Sequence, residues 1–173
     1  LAYADQQPLT LHLAQADLQQ IPFADNHFGL IVALDTFDQR AVDLSQALRE
    51  SWRLLHPNGW LLVRVSAYAW LHSAHDEAFN TGRRYHRQEL TTALRRSGFH
   101  IERVTYANSV LALPIIIQRF LQRWQLLPFS SHHDMTPFVN QQVARFLRWE
   151  ARLLQTLNLP FGISLYVLAR KRL

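Results

Sequence analysis

The sequence predicts an α/β domain in which helices alternate with the strands of a layered sheet. At residues 53–66 a helix ends, a turn follows at His56-Pro57-Asn58-Gly59, and an apolar strand runs over residues 60–65. Such an unbroken apolar run is typical of a strand covered on both faces. Helical and strand patterns alternate along the other residues too, and a length of 173 residues suits one domain with its own core.

Two short strands are predicted near the start of the sequence. Residues 10–16 alternate apolar and polar side chains and end at Asp17, and residues 30–34 are apolar and end at Asp35. A polar loop that contains Pro22 separates them. Both strands therefore end at an acid.

The remaining elements follow from periodicity and from helix-ending residues. A helix is predicted from an N-cap at Asp43 or Ser45 to Leu55, whereas residues 67–86 show no clear periodicity. The next predicted elements are a helix over 87–97 ended by Gly98 and a strand over 99–106. Residues 110–127 are predicted to be an apolar segment that becomes an amphipathic helix after Pro114. A loop over 127–136, a helix over 137–157 and a strand over 163–169 complete the prediction.

Composition restricts the classes of function. The 18 Lys+Arg against 13 Asp+Glu give a net charge of +5, which fits a solvated basic surface or attraction to nucleic acid or an anionic membrane. No zinc spacing, lysine-rich tail or RNA-binding motif is present, so no nucleic-acid partner is expected. The absence of cysteine fits a reducing compartment, and with no visible signal peptide we predict a cytoplasmic location.

Asp17 and Asp35 stand at the edge of the sheet where open α/β domains bind ligands, the carboxyl ends of the strands. A carboxylate there can accept hydrogen bonds from a ligand amine or hydroxyl. The alternative is that each acid caps the turn that follows it.

The loop after the central strand gathers His75, Asp76, Arg83, Arg84 and Tyr85 within a few positions. These side chains supply a potential general base, a carboxylate, two guanidinium groups and a phenol. No Gly-x-Ser-x-Gly motif supplies a nucleophile, which disfavours a hydrolase.

A structural loop is the alternative for this segment, with the arginines paired to Asp76 and Glu77. A metal held by His72, His75 and Asp76 has only a spacing of three to support it, so no metal site is predicted.

Residues 111–127 are more hydrophobic than a surface helix requires. They indicate a helix buried in a cap or at a dimer interface. The alternative is a lining for a lipid-like substrate, or peripheral membrane contact through Phe120, Trp124, Arg119 and Arg123. The cluster His132-His133-Asp134 is predicted to lie in an exposed loop.

Several stretches in the right order resemble one family. Ala-Asp-Leu-Gln-Gln-Ile-Pro-Phe at 16–23, Leu-Ile-Val-Ala-Leu-Asp at 30–35 and Leu-Leu-His-Pro-Asn-Gly at 54–59 resemble class I S-adenosylmethionine-dependent methyltransferases of the type 11 group. Residues 70–99 and 159–171 resemble one bacterial subgroup of it. Three positions depart from the pattern: Gly29 stands for an acid, and Gln39 and Thr81 stand where histidines are usual.

The resemblance implies a Rossmann-like, three-layer αβα sheet of order 3-2-1-4-5-7-6, of which this sequence supplies strands 3, 4, 5, 7 and 6. The first two strands and the Gly-x-Gly-x-Gly turn are expected before residue 1. We therefore expect a single methyltransferase domain over 1–173, incomplete at its N-terminus, with a helical insertion or cap over 109–158.

The implied reaction is methyl transfer from S-adenosylmethionine to a small-molecule acceptor, lipid-like or anionic. Asp17 would bind the adenine amine with Leu18 beside the ring, and Asp35 would lie near the methionine end or the substrate. His75 would be the base, Asp76 its partner, and Arg83 or Arg84 would bind an anionic group, with Tyr85 beside them.

Because the Gly-rich turn is missing, we expect weak cofactor binding and impaired activity. The alternative function is a non-catalytic methyltransferase-like remnant that acts through a partner surface such as the helix at 111–127.

Overall fold

The computed structural model describes residues 13–123 and 137–172, with the side chains of residues 74, 75, 118–123 and 137–139 excepted. Four strands and five helices make up this part of the chain. The strands are β1 (Phe28–Leu34), β2 (Leu55–Ser66), β3 (Phe99–Ala107) and β4 (Ser164–Lys171). The helices are α1 (Leu44–Leu54), α2 (Ala74–Ala78), α3 (Arg87–Arg96), α4 (Ser109–Arg123) and α5 (Pro137–Thr156), with a 3₁₀ turn at Ala69–Leu71.

The strands form one sheet of order β1-β2-β4-β3. β1 and β2 are parallel, whereas β4 runs antiparallel to both of its neighbours. This order matches strands 4, 5, 7 and 6 of the expected methyltransferase sheet, so the predicted arrangement of these four strands is confirmed.

One face of the sheet carries the hydrophobic core. Leu61, Val63 and Val65 of β2 are fully buried on that face, and they pack with side chains of α1 and α3 such as Leu48 and Leu90. Alternate residues of a strand point to opposite faces, so the period of two fixes which side chains the two helices cover.

The opposite face is exposed along β1, the edge strand. Leu30, Val32 and Leu34 are 55, 49 and 48% exposed, and we call these three residues the open face. Nothing in the described ranges covers it.

Caps fix both ends of α1. The Asp43 carboxylate accepts hydrogen bonds from the amides of Ser45 and Gln46, which confirms the predicted N-cap. At the other end, the buried ammonium of Lys171 donates to the carbonyl oxygens of Trp52 and Leu55, both at 2.8 Å. Lys171 is the last residue of β4, so this contact ties the helix to the centre of the sheet.

The start of β2 differs from the prediction. The strand begins at Leu55, directly after α1, rather than after a separate turn. Phe28 pairs with Leu55 and Leu30 with Trp60, so residues 56–59 form an irregularity within the strand, opposite Gly29 alone. Asn58 adopts a φ of 65°, a left-handed conformation that is also typical of turns, and this explains why the Asn-Gly pair predicts a turn.

The strand predicted over residues 10–16 is wrong for its described part. Residues 13–16 have no regular structure, and Leu13 is 95% exposed. A strand needs a hydrogen-bonding neighbour, and no described strand lies beside these residues. Residues 10–12 lie outside the described part.

α4 begins at Ser109, and Pro114 lies inside it. Its first turn is capped from another helix, because the buried carboxylate of Glu150 in α5 accepts hydrogen bonds from the amides of Asn108, Ser109 and Val110. α5 begins at Pro137 as predicted. None of the described helices is both long and apolar enough to span a bilayer.

Candidate functional site

A cavity of about 340 Å³ lies at the carboxyl ends of β1 and β2, and we call it the edge cavity. The loop at 76–85 closes one side of it, because Gln39 and Thr81 form a β-bridge and Gly82 donates its amide to the carbonyl of Asp38. The residues lining it are Asp35, Gln39, Arg64, Ser66, Asp76, Phe79, Thr81, Arg84, Asn108, Ile115, Ile163 and Ser164. The cavity therefore lies at the sheet edge where open α/β domains bind ligands.

Asp35 occupies the position at which β1 ends. Its backbone is left-handed, with a φ of 50°, and its amide donates to the carbonyl of Arg64 on β2. Its carboxylate lies 3.0 Å from the guanidinium of Arg64. Burial raises the pKa of the Asp35 carboxyl, the charge of Arg64 lowers it, and the charge of Asp38 raises it further. The net rise makes Asp35 a better proton acceptor than an ordinary aspartate.

Asp76 and Arg84 form a buried ion pair in the wall of the edge cavity. Arg84 donates to Asp76 Oδ1 from Nε at 3.0 Å and from a terminal nitrogen at 2.7 Å, and also to the carbonyl of Ala67. The second oxygen of Asp76 accepts hydrogen bonds from the amide and hydroxyl of Ser73. This geometry is the one expected for the structural alternative, in which the arginine pairs with Asp76.

Arg83 and Tyr85 point away from the edge cavity. Arg83 pairs with Glu89 and lies over the ring of Tyr85, whose buried hydroxyl donates to the carbonyl of Phe37 at 3.0 Å. Burial is the main cause that raises the pKa of Tyr85 to about 12. Both residues border a larger, open groove of about 980 Å³ between the N-terminal ends of α1 and α3.

His75, the predicted base, has its backbone in α2 but its side chain outside the described part of the chain. Its role stays a prediction, as does that of Asp76 as its partner. Glu77 pairs with Arg40 at 2.7 Å and approaches His72 at 3.8 Å. Among the described residues, no group of three or more His, Asp or Glu side chains could hold a metal ion.

The predicted cofactor residues do not share one cleft. The Asp17 carboxylate is exposed and accepts a hydrogen bond from the amide of Gln19, as in a capped turn, with Leu18 half-buried in that turn. The cavity beside this turn, lined by Gln15, Ala16, Gln20, Ile21, Pro22, Glu50 and Arg53, shares no lining residue with the edge cavity.

The glycines do not supply a cofactor cradle either. A Cβ atom at Gly59, Gly82, Gly98 or Gly162 would meet protein atoms, and only Gly29 on the edge strand faces open space. The described residues therefore do not form one cleft that includes both Asp17 and Asp35.

Two residues of the site were not singled out from the sequence. Asp38 is 1% exposed, and its Oδ2 accepts a hydrogen bond from the amide of Ser66 at 3.0 Å. Arg64 is the one charged residue within the apolar run of β2, so its functional interest could have been recognised from the sequence. Asp38 gave no comparable signal, because its partner is a backbone amide 28 residues away.

Gln39 and Thr81 occupy the two positions where histidines are usual in the family that the sequence resembles. They form a β-bridge with each other, and both line the edge cavity. Gln39 donates from its amide to the carbonyl of Asp35 at 3.0 Å. Among the described residues that line the edge cavity, none is a histidine. The titratable side chains that line the cavity are therefore carboxylates and guanidinium groups.

Comparisons with known proteins agree with this architecture. Residues 1–63 match the family model described as a methyltransferase domain. No curated protein sequence matches the chain significantly.

Solved structures match the fold over nine-tenths of this chain. They include a SAM-dependent methyltransferase from Thermotoga maritima (14% identity, TM-score 0.56, 91% of this chain and 62% of that chain). Phosphoethanolamine N-methyltransferase 2 from Haemonchus contortus, solved with S-adenosylmethionine, matches with 14% identity and a TM-score of 0.51 over 91% of this chain and 36% of that chain. The [4+2]-cyclase SpnF matches with 20% identity and a TM-score of 0.52 over 92% of this chain and 55% of that chain.

This chain thus spans between about a third and three-fifths of the length of these three proteins. Residues 1–63 match the methyltransferase domain model, and the described part of the chain has the class I fold of S-adenosylmethionine-dependent methyltransferases.

Proposed function

We propose that this chain carries the acceptor-binding part of an S-adenosylmethionine-dependent methyltransferase that acts on small molecules. The observation that supports this most is the edge cavity at the carboxyl ends of β1 and β2, which combines polar groups with the apolar side chains of Phe79, Ile115 and Ile163. Its volume of about 340 Å³ is at the lower end of the range for small-molecule sites.

In this proposal Asp35 accepts the proton of the attacking group. It lines the cavity, its pKa is raised mainly by burial, and no histidine lines the described wall. A base of this kind contributes typically ~10²–10⁴-fold to a rate. The rest of the catalysis comes from holding the acceptor in position beside the methyl donor.

Two of the structural relatives are associated with amine acceptors, which favours a nitrogen nucleophile. The Haemonchus contortus protein is a phosphoethanolamine N-methyltransferase, and the Thermotoga maritima protein is described as a possible histamine N-methyltransferase. SpnF is a cyclase with the same fold, so the fold alone does not specify the reaction.

Cofactor binding by this chain alone is proposed to be weak, because Asp35 lines the edge cavity whereas Asp17 lies in an exposed turn outside it, and no described glycine cradles a ligand. Calorimetric titration with S-adenosylmethionine tests this directly. We expect no saturable heat at micromolar concentrations, and a micromolar Kd would overturn the proposal of weak binding.

Methyl transfer is tested with methyl-labelled S-adenosylmethionine at millimolar concentration and a panel of small amines and alcohols. We expect slow labelling of an amine that falls about 100-fold in Asp35→Asn. The matched control is Asp25→Asn, which changes a carboxylate paired with Arg53 outside the edge cavity and keeps the rate. Labelling that is equal in both variants would exclude Asp35 as the base.

The second candidate function is a non-catalytic interaction module. The open face favours it, since three large apolar side chains on an edge strand are half-exposed. Absence of methyl transfer under all of these conditions would favour this function over catalysis.

A further inference from the structure

Two buried polar atoms have no hydrogen-bond partner among the described residues: Asp38 Oδ1 and Arg64 Nε. Arg64 lines the edge cavity, and Asp38 is hydrogen-bonded to the amide of Ser66, which lines it too. The other oxygen of Asp38 is held by the Ser66 amide, and the terminal nitrogen of Arg64 is held by Asp35. An unsatisfied buried polar group costs about 1–3 kcal/mol, and native proteins contain few of them. One unfilled acceptor and one unfilled donor therefore belong to residues in or next to the lining of the edge cavity.

The two atoms belong to residues that the fold holds near each other. Arg64 and Ser66 are two positions apart on β2, so their side chains lie on the same face, and both line the edge cavity. The carboxylate of Asp38 is fixed against the amide of Ser66. The charge of Asp38 also acts on Asp35, the carboxylate that pairs with Arg64.

The charges around the cavity leave one carboxylate uncompensated. Asp35 pairs with Arg64 and Asp76 pairs with Arg84, whereas no ion pair with Asp38 is formed among the described residues. A buried carboxylate without a cation favours a positively charged group nearby. The site therefore favours an ammonium group over a neutral or anionic one.

We propose that the edge cavity binds a 1,2-amino alcohol as its acceptor: the ammonium donates to Asp38 Oδ1, and the neighbouring oxygen accepts from Arg64 Nε. Before methyl transfer the ammonium gives one proton to Asp35, and the neutral amine nitrogen then bonds to the methyl group as the sulfur–methyl bond of the donor breaks. This inference rests on the proposed function, since it names the acceptor class. Solvent does not reach either atom in this structure and Asp38 does not line the cavity, so binding requires the side chains of both Arg64 and Asp38 to turn towards the ligand. Phe79, Ile115 and Ile163 contact an apolar part of the molecule.

Three probes of matched shape test the chemistry in calorimetric titrations of the 173-residue chain. 2-Amino-1-phenylethanol carries both groups, 2-phenylethylamine lacks the oxygen, and 1-phenylethane-1,2-diol lacks the ammonium. We expect the amino alcohol to bind at least 10-fold more tightly than either of the others. Equal affinities for the three probes would overturn the proposal.

Two variants assign each preference to its residue. Asp38→Asn should abolish the preference over the diol, and Arg64→Met should abolish the preference over 2-phenylethylamine. Asp25→Asn, a carboxylate outside the cavity, should keep both preferences. The assignment would be contradicted if Asp25→Asn lost both preferences, or if Asp38→Asn and Arg64→Met both kept them.

A measurement on the unmodified chain keeps the test valid if Asp38→Asn does not fold. The amide of Ser66 donates to Asp38, so its nuclear magnetic resonance signal should shift when the amino alcohol binds. No shift at Ser66 on saturation would overturn the proposed contact.

The amino-acid end of the methyl donor also carries an ammonium beside an oxygen, so S-adenosylhomocysteine is titrated as a separate arm. If it binds through Asp38 and displaces the amino alcohol, the site belongs to the cofactor and the acceptor assignment is wrong. These titrations need no methyl transfer, so failure of the proposed reaction and failure of this inference are distinguishable.

Discussion

Asp76 and Arg84 bind each other through two hydrogen bonds, at 3.0 and 2.7 Å, with side chains that are only 2 and 7% exposed. The pair lies between α2 and the end of β2, because Arg84 also donates to the carbonyl of Ala67. It therefore fastens the loop at 76–85, which forms one wall of the edge cavity, to the sheet.

Replacement of one partner should destabilise the domain strongly. Asp76→Ala leaves the Arg84 charge buried without its partner, and we expect the free energy of unfolding to fall by about 3–5 kcal/mol. Urea unfolding followed by circular dichroism measures this loss.

The double variant Asp76→Leu/Arg84→Met is the control, because it removes both charges and keeps apolar volume. Its loss should be smaller than that of Asp76→Ala. A double variant that is less stable than the single one would show that the pair contributes more than the cost of an unpaired charge.

Two glycines should respond differently to the same substitution. A Cβ at Gly162 would lie 2.3 Å from the carbonyl oxygen of Ala107, whereas a Cβ at Gly29 would meet nothing within 4 Å. Gly162→Ala should therefore cost about 1–3 kcal/mol through overpacking. Gly29→Ala should be neutral or slightly stabilising, because alanine restricts the unfolded chain. Thermal unfolding of the two variants side by side checks the contrast, and equal melting temperatures would contradict it.

Asp35 should make stability depend on pH in an unusual direction for an aspartate. Its pKa in the folded chain is raised above 3.8, mainly by burial. Its favourable contribution to the free energy of unfolding is therefore fully present below pH 3.8 and is lost as the pH rises through the folded pKa. Asp35→Asn does not titrate at this position.

The melting temperature of Asp35→Asn, relative to that of the unmodified chain, should therefore be higher at pH 7 than at pH 3.5. Melting curves across this interval test the sign. A difference that stays constant with pH would show that the carboxyl titrates alike in the folded and unfolded chain.

Lys171 should be both stabilising and chemically protected. It is the only lysine, it is 6% exposed, and it donates to Asn26, Trp52 and Leu55 at 2.8–2.9 Å. Lys171→Met leaves these acceptors without a donor and should lower the free energy of unfolding by about 1–3 kcal/mol.

Amine acylation gives an independent readout for Lys171. The side chain should react slowly in the native chain and rapidly in urea, as followed by mass spectrometry of the peptide that contains it. Equal rates in both conditions would place its ammonium in solvent.

Features that depend on neighbouring residues along the chain were predictable from the sequence. Asp43 caps α1, and Gly98 ends α3 with a φ of 93°. Both follow from local backbone chemistry, in which one residue satisfies the groups of the next few. The order of β1, β2, β4 and β3 came instead from the resemblance to a family.

Features that depend on distant partners were not predictable in this way. Asp38 gains its importance from the amide of Ser66, and Glu150 caps a helix that begins some 40 residues earlier. The strand predicted at 10–16 had a suitable alternation, but alternation does not provide a pairing neighbour. In each case the deciding contact lies far away in the sequence.

The position of β4 has a consequence for how this domain is assembled during synthesis. β4 is the last of the four strands to be made, yet it lies between β2 and β3, which are not neighbours in the sheet. Until residues 164–171 leave the ribosome, the sheet has only its β1–β2 ladder, and β3 has no strand to pair with. Contacts of such large sequence separation close slowly, so the paired sheet of these four strands can be completed only after β4 has been made.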